Sequence, residues 1–236
     1  MIVDALKWGF RKVGLDVHKL YQPPENRFKW LQEFDIKTII DVGANRGQFA
    51  FMIQPFFPEA TIYCFEPQRD VAANLAKKAA RKGLSKKLFV FDMALGSAIG
   101  TVKINRAGNT TDSSLLAMSG YFKEIYKRYR EPKQEDVFIG RLDDFNINIR
   151  TGLMVKIDVE GHEKNVILGA EKTLEKAKIV YIEVTFHRER YLGQVMFGEL
   201  YDMLRDRGFD CAGFGQTYFH YHTGAPYYAD AVFLKN

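Results

Sequence analysis

Three stretches of the chain combine residue types and spacings that could do chemistry. In Thr38–Phe49, TIIDVGANRGQF, a short apolar run leads into Asp41 and then into a turn carrying Gly43 and Gly47. Glycine just past such a run lets the backbone bend sharply and approach a ligand closely. A helix opening there aims its free N–H groups at the same place. In KIDVEGHE, Asp158, Glu160 and His162 fall within five residues. Carboxylates and an imidazole so grouped can act as a general base, or can ligate a divalent ion that lowers the pKa of a bound hydroxyl. The third stretch, YIEVTFHRER, places Glu183 and His187 in and just past another apolar run. The plainer reading makes Asp158 structural, has Glu160 turn the chain at Gly161, lets His162 start a helix and leaves His187 in a loop.

The positions of these residues depend on the elements that carry them. Ile39–Val42, Ala60–Phe65 and Leu88–Asp92 read as strands, and Gln48–Gln54 and Val71–Arg81 as helices. This β-α-β-α-β order predicts a doubly wound, mostly parallel sheet with right-handed crossovers and helices on both faces. The rhythm breaks after Asp92. Thr101–Ile104 alternates like an exposed strand, GNTTDSS (Gly108–Ser114) is a loop by composition, and Tyr121–Arg130 is basic and aromatic. Val137–Ile139 then reads as a strand and Arg141–Phe145 as a helix start. Alternation resumes with a strand over Leu153–Val159, on which Asp158 and Glu160 would point the same way. A helix follows from Gly161 with Val166, Ile167, Ala170 and Leu174 on one face. Ile179–Val184 is a strand, Phe197–Asp206 a helix, and the tail reads as antiparallel strands closing the sheet. The expected organisation is an N-terminal helical extension over 1–36 and one domain over 37–236, with a lid-like insertion at about 106–136.

Composition narrows the class. The chain has 236 residues, 47% of them hydrophobic and 14% aromatic, enough for a sizeable core. A net charge of +5 without strong clustering argues against a nucleic-acid partner. Two cysteines, Cys64 and Cys211, make no disulfide framework. No apolar run is long enough for a transmembrane helix, and MIVDALKWGFRKVG lacks the features of a secretory signal. A cytoplasmic enzyme is the expectation. Ile2, Leu6, Phe10 and Val13 recur at helical spacing with Lys7, Arg11 and Lys12 between them, which suits either a helix lying on a membrane surface or one docked on the domain. Tyr21-Gln22-Pro23-Pro24 reads as a linker, and Phe28–Phe34 as one more helix.

In open α/β sheets ligands bind beyond the carboxyl ends of the strands, at the point where strand order reverses. Six acids stand at those ends: Asp41, Glu66, Asp92, Asp158, Glu160 and Glu183. The glycine loop lacks the third glycine of G-x-G-x-x-G, and no Walker loop is present. Glu66 suits a ribose diol, because a carboxylate accepts from two hydroxyls. Ribose without pyrophosphate, beside an acid-lined cleft, suits S-adenosylmethionine, whose sulfonium and amino groups are cationic.

The motifs DVGANRGQF, FEPQ, ALGSAIGT, RLDDF, KIDVEGHE and YIEV, in this order, resemble the FkbM-type methyltransferases over roughly Thr38–Leu234. The resemblance implies a class I methyltransferase (Rossmann-like) fold, S-adenosylmethionine as donor, and O-methylation of a hydroxyl on a sugar, glycan or secondary metabolite. Carried over, Asp41, Gly43, Asn45 and Gly47 would hold the methionine half of the cofactor. Glu66 would take the ribose hydroxyls with Pro67 shaping the turn, and Asp92, Met93 and Ala94 would contact adenine. A hydroxyl attacks well only if its proton leaves as the new bond forms. The candidate bases are Asp158, Glu160, His162, Glu163, Glu183 and His187, with Asp158, Glu160 and Glu183 the set for any metal. Tyr121, Phe122, Lys123, Tyr126, Lys127, Arg128, Tyr129 and Arg130 could bind a sugar ring or an anion, or could belong to a helix covering the sheet. His220 and His222 read as rim residues. Two rival readings are a nucleotide-dependent oxidoreductase and a methyltransferase-like binding module without turnover. Nothing in the sequence specifies an oligomeric state.

Overall fold

The computed structural model describes residues 8, 10–12, 28–125, 131–220 and 223–235. The chain divides into two compact units, Met1–Leu31 and Gln32–Asn236. In the first, Phe10, Arg11 and Lys12 are helical and exposed. Ile2, Leu6, Lys7 and Val13 of the expected amphipathic helix, and the linker Tyr21–Pro24, lie outside the described residues, as do Tyr126–Arg130 and His222. Lys29–Phe34 forms a 3-10 helix where a further helix is expected.

The second unit alternates strands and helices. In order these are β1 (Thr38–Val42), α1 (Gln48–Ile53), β2 (Thr61–Phe65), α2 (Arg69–Arg81), β3 (Leu88–Phe91), β4 (Ala94–Leu95), β5 (Gly100–Arg106), α3 (Gly120–Ile125), β6 (Lys133–Gly140) and β7 (Leu153–Ile157). They continue with α4 (Glu163–Leu168), α5 (Glu171–Lys176), β8 (Ala177–Thr185), α6 (Phe197–Arg205), β9 (Phe209–Phe219) and β10 (Pro226–Lys235). Seven strands make one sheet in the order β3-β2-β1-β7-β8-β10-β9, and β4, β6 and β5 make a small second sheet. β1 pairs in parallel with β2 and with β7, and β10 alone runs against its neighbours. The strand order therefore reverses between β1 and β7.

Burial explains why these segments are strands. Every residue of TIIDV and of LMVKI is buried, as a sheet covered on both faces requires. Ile40, Val42, Val155, Ile157 and Ile182 join Val166, Ile167, Leu174, Leu200 and Leu204 from the helices in one apolar cluster. The helix expected from Gly161 is two short helices instead. Gly169 lies between them, and a Cβ there would stand 1.9 Å from the Gly96 carbonyl oxygen, so the chain bends where another backbone presses on it. The helix start at Arg141–Phe145 is a single 3-10 turn, Leu142–Asp144. The insertion is not simply a loop: β5 and β6 form an antiparallel pair whose intervening chain carries a 3-10 turn at Thr110–Asp112 and the short helix α3.

Candidate active site

The floor of the crevice is set where β1 and β7 end. Asp41 and Lys156 lie in register on these neighbouring strands, and Lys156 Nζ stands 3.2 Å from Asp41 Oδ1. It also stands 3.3 Å from Asp158 Oδ2, and it donates to the Gly43 and Val42 carbonyl oxygens at 3.0 and 3.4 Å. Asp41 is fully buried, so its carboxyl pKa is raised by desolvation against the opposing pull of Lys156. The ammonium of Lys156 gains protonated character from Asp158 and Asp41 despite a large desolvation cost. Asp41 is thus tied through Lys156 to the glycine loop. Gly43, with φ of 76°, passes so close to β7 that a Cβ would meet the Asp158 carbonyl oxygen at 1.9 Å. Glycine is the residue that fits both the left-handed backbone and the gap.

Glu66 follows β2 directly and is 3% exposed. Its Oε2 accepts the Asn45 N–H at 2.9 Å and its Oε1 the Gln68 N–H at 2.9 Å. Burial raises its pKa, and these N–H groups, with the charge of Lys156, oppose the rise. Asn45 takes φ of 46°, and its Oδ1 accepts from the Arg46 N–H and from Thr110 Oγ1. Gln68 donates to the Thr110 carbonyl, and Ser113 Oγ donates to Gln68 Oε1. The 108–114 segment therefore closes on the glycine loop. Asp92, just past β3, is exposed and pairs with Arg69 at 3.4 Å, while Ala94 is buried in β4. Asp92 and Met93 line a cleft of about 620 Å³ with Ile99, Phe138 and Phe145.

β7 ends at Ile157, two residues short of the expected Val159. Glu160 adopts φ of 54° and Gly161 φ of 99°, which turns the chain out of the sheet. Glu163 is buried and its Oε1 accepts the Val159 and Gly161 N–H groups, so this acid holds the turn together. The turn, rather than strand alternation, brings Asp158, Glu160 and Glu183 together, with ligand oxygens within 4.8 Å of one another. All three are already matched by a cation, Asp158 by Lys156 and the other two by Arg190. Arg190 Nη2 lies 2.6 Å from Glu160 Oε2, and Arg190 Nη1 lies 2.7 Å from Glu183 Oε2. Tyr191 Oη also donates to Glu160 Oε2, at 2.9 Å. Desolvation pushes the Glu160 carboxyl up to about 8 even so, and that of Glu183 well above the usual carboxylate range. A guanidinium among the donors would repel a divalent ion, so the set does not fit a metal.

The two histidines are placed apart from this cluster. A Cβ on Gly96 would stand 3.0 Å from His162 Nε2, and Asn165 Nδ2 is 3.3 Å from His162 Nδ1, so the ring packs against the β4 turn and its own helix. Burial lowers its pKa to about 4. His187 is exposed just beyond β8, its ring 6.3 Å from Tyr227. His220 is buried and stacks with Tyr121 at 6.0 Å. Tyr121 also lies under Arg188, whose guanidinium carbon is 4.5 Å from the ring centroid.

A profile of the methyltransferase FkbM domain matches residues 41–211. The chain belongs to the FkbM methyltransferase family. Among curated relatives, the 2-O-methyltransferase NoeI of Sinorhizobium fredii is 26% identical over 175 residues, covering 71% of this chain and 70% of NoeI. Among solved structures, the methyltransferase FkbM from Methylobacillus flagellatus superposes with a TM-score of 0.51 at 16% identity, over 85% of this chain and 44% of that one. TehB from Haemophilus influenzae gives 0.50 at 7% identity, over 98% of this chain and 66% of that one. The chain thus spans less than half of the solved FkbM structure. As in that fold class, the central sheet is mostly parallel with one antiparallel strand near its C-terminal edge, a class I methyltransferase architecture. Residues 41–211 thus carry an FkbM-type methyltransferase domain.

The sequence pattern does not mark Arg190 or Tyr191 as site residues, nor show what Lys156 pairs with. For Lys156 the signal was present: a lysine inside an otherwise apolar strand, in line with an aspartate inside another, must find a partner. For Arg190 no such signal exists, since HRERY reads as a solvated loop.

Proposed function

We propose that this chain transfers a methyl group from S-adenosylmethionine to a hydroxyl of a sugar, glycan or related small molecule. The observation that carries the donor is Glu66. Its carboxylate is buried at the end of β2, is tied by N–H groups to both the glycine loop and the start of α2, and keeps acceptor capacity for a diol. Asp41, Glu66 and Asp158 share Lys156 as a common cation, which leaves an excess of negative charge suited to a cationic ligand. Asn45 and the backbone of the glycine loop would hold the methionine half, and Asp92 and Met93 the adenine half. When bound, the donor supplies a methyl carbon already activated by its sulfonium.

The chain's own part is to place an acceptor hydroxyl and to take its proton. Asp158 is the acid best placed for this. It follows β7 at the switch point, its side chain is 36% exposed, and only one of its oxygens faces Lys156. Glu160 and Glu183 are engaged by Arg190, Glu163 by backbone N–H groups, and His162 is packed away from the acid cluster. Tyr121, Arg188 and His187 beyond β8 offer flat and cationic surfaces of the kind that take a sugar ring. The segment Thr110–Ser119, which hydrogen-bonds to Gln68, Glu160 and Arg190, serves as the lid. The family and the NoeI likeness support oxygen as the acceptor atom. Labelled methyl transfer to a panel of sugars and glycolipids tests the reading, with Asp158→Ala expected to bind donor and lose turnover. Full turnover by Asp158→Ala would remove that residue from the mechanism.

A further inference from the structure

Lys156 is 5% exposed, yet four oxygens surround its ammonium: Asp41 Oδ1, Asp158 Oδ2 and the carbonyls of Val42 and Gly43, at 3.0 to 3.4 Å. If it served only to neutralise Asp41, one contact would suffice. Its other contacts reach the two loops that face each other across the switch point. Gly43 donates its N–H to the Phe65 carbonyl, and its own carbonyl turns back to Lys156. Asp158 donates its N–H to the Val42 carbonyl, and its carboxylate also turns to Lys156. The ammonium has three donors for these four oxygens, so its geometry is overdetermined. It acts as a pin between the glycine loop and the acid after β7.

We propose that Lys156 is a positioning residue that fixes the Asp158 carboxylate relative to the glycine loop, and hence the proton acceptor relative to the donor site. The proposal rests on the reading of Asp158 as the base. A buried cation suits the task better than a neutral hydrogen-bond donor. It attracts both carboxylates at once, and burial of the ammonium and of Asp41 excludes the water that would otherwise compete at that end. Displacing a reacting group by about 1 Å can cost about 10²-fold in rate, so a pin of this kind is worth a buried charge.

The test uses the full chain. Lys156→Met alone leaves Asp41 buried without its cation and is expected to fold poorly. Asp41→Asn with Lys156→Met removes both charges and carries the experiment. S-adenosylmethionine affinity is measured by calorimetry, turnover with the best acceptor from the labelled-transfer panel, and the Asp158 carboxylate position by a crystal structure of the double variant. Positioning predicts turnover at saturating donor lower by about 10²-fold, whatever the change in donor affinity, and a carboxylate displaced by about 1 Å or more. Parental turnover, or an unmoved carboxylate, would reduce Lys156 to a charge partner of Asp41 and overturn the proposal. Asp158→Asn assayed alongside separates the two claims. If it loses turnover while the double variant keeps it, the positioning role fails alone; if it keeps turnover, both fail.

Discussion

Replacing Arg190 with methionine tests whether one guanidinium holds the far wall of the site together. Arg190 is 2% exposed and bridges Glu160 and Glu183 at 2.6 and 2.7 Å, while its guanidinium carbon lies 4.2 Å from the Tyr228 ring centroid. Methionine keeps most of the aliphatic volume and removes the charge. Breaking a buried pair by deleting one partner costs about 3–5 kcal/mol, because the acids left behind have neither water nor a counterion and must keep their protons. For a domain of this size, with about 2–4 °C of melting temperature per kcal/mol, the drop should be about 6–20 °C. Calorimetry or urea unfolding measures it. The loss should also depend on pH. Glu160 has its folded pKa near 8 against an ordinary value of 4.5, so the unfolded chain gives up its proton first as pH rises. Stability is thus greatest below that ordinary value and falls through the window from 4.5 to about 8. Without Arg190 the folded acids hold their protons more tightly, so the fall should continue to higher pH. Adding Glu160→Gln and Glu183→Gln should recover much of the loss. A change below about 1 kcal/mol, flat with pH, would show that the bridge is not the buried ion pair described.

Three further outcomes follow from the same geometry. Glu66→Gln keeps the shape but loses a charged acceptor worth about 1.5–3 kcal/mol. S-adenosylmethionine affinity should fall by roughly 10- to 150-fold in a calorimetric titration, and an unchanged affinity would remove Glu66 from the site. Gly43→Ala forces a Cβ to 1.9 Å from the Asp158 carbonyl at φ of 76°, and should lower the unfolding midpoint and the donor affinity together. A well-folded variant with parental affinity would refute the close approach. Methyl transfer should survive exhaustive treatment with chelator, because Arg190 already supplies the cation at Glu160 and Glu183. Activity lost to chelator and restored by magnesium would reverse that assignment.

Much of this arrangement is written locally. The β-branched run before Asp41, the turn glycines, and the acids directly after β2, β3 and β7 are spaced by chain geometry. The parallel β-α alternation and the position of Glu66 just past β2 therefore follow from pattern alone, whereas the order of the strands does not. What is not local is what faces what. Asp158, Glu160 and Glu183 meet through a turn held by Glu163, where a longer strand was the simplest expectation. His162 looks catalytic by proximity in sequence, yet the left-handed backbone at Glu160 and Gly161 sends its ring toward Gly96. Arg190 shows the limit most clearly. A charged loop residue and a buried counterion have the same letter, and only the closing of the 112–119 segment over the 187–194 loop, through Ser119, Leu192 and Tyr191, makes it the latter.

The central claim is that the crevice between β1 and β7 is a site for S-adenosylmethionine. Calorimetric titration of the purified chain with S-adenosylmethionine and, separately, with NAD tests it most directly. One site for S-adenosylmethionine, weakened by Glu66→Gln, with no heat from NAD, is the predicted result; binding of NAD with none of S-adenosylmethionine would contradict the account.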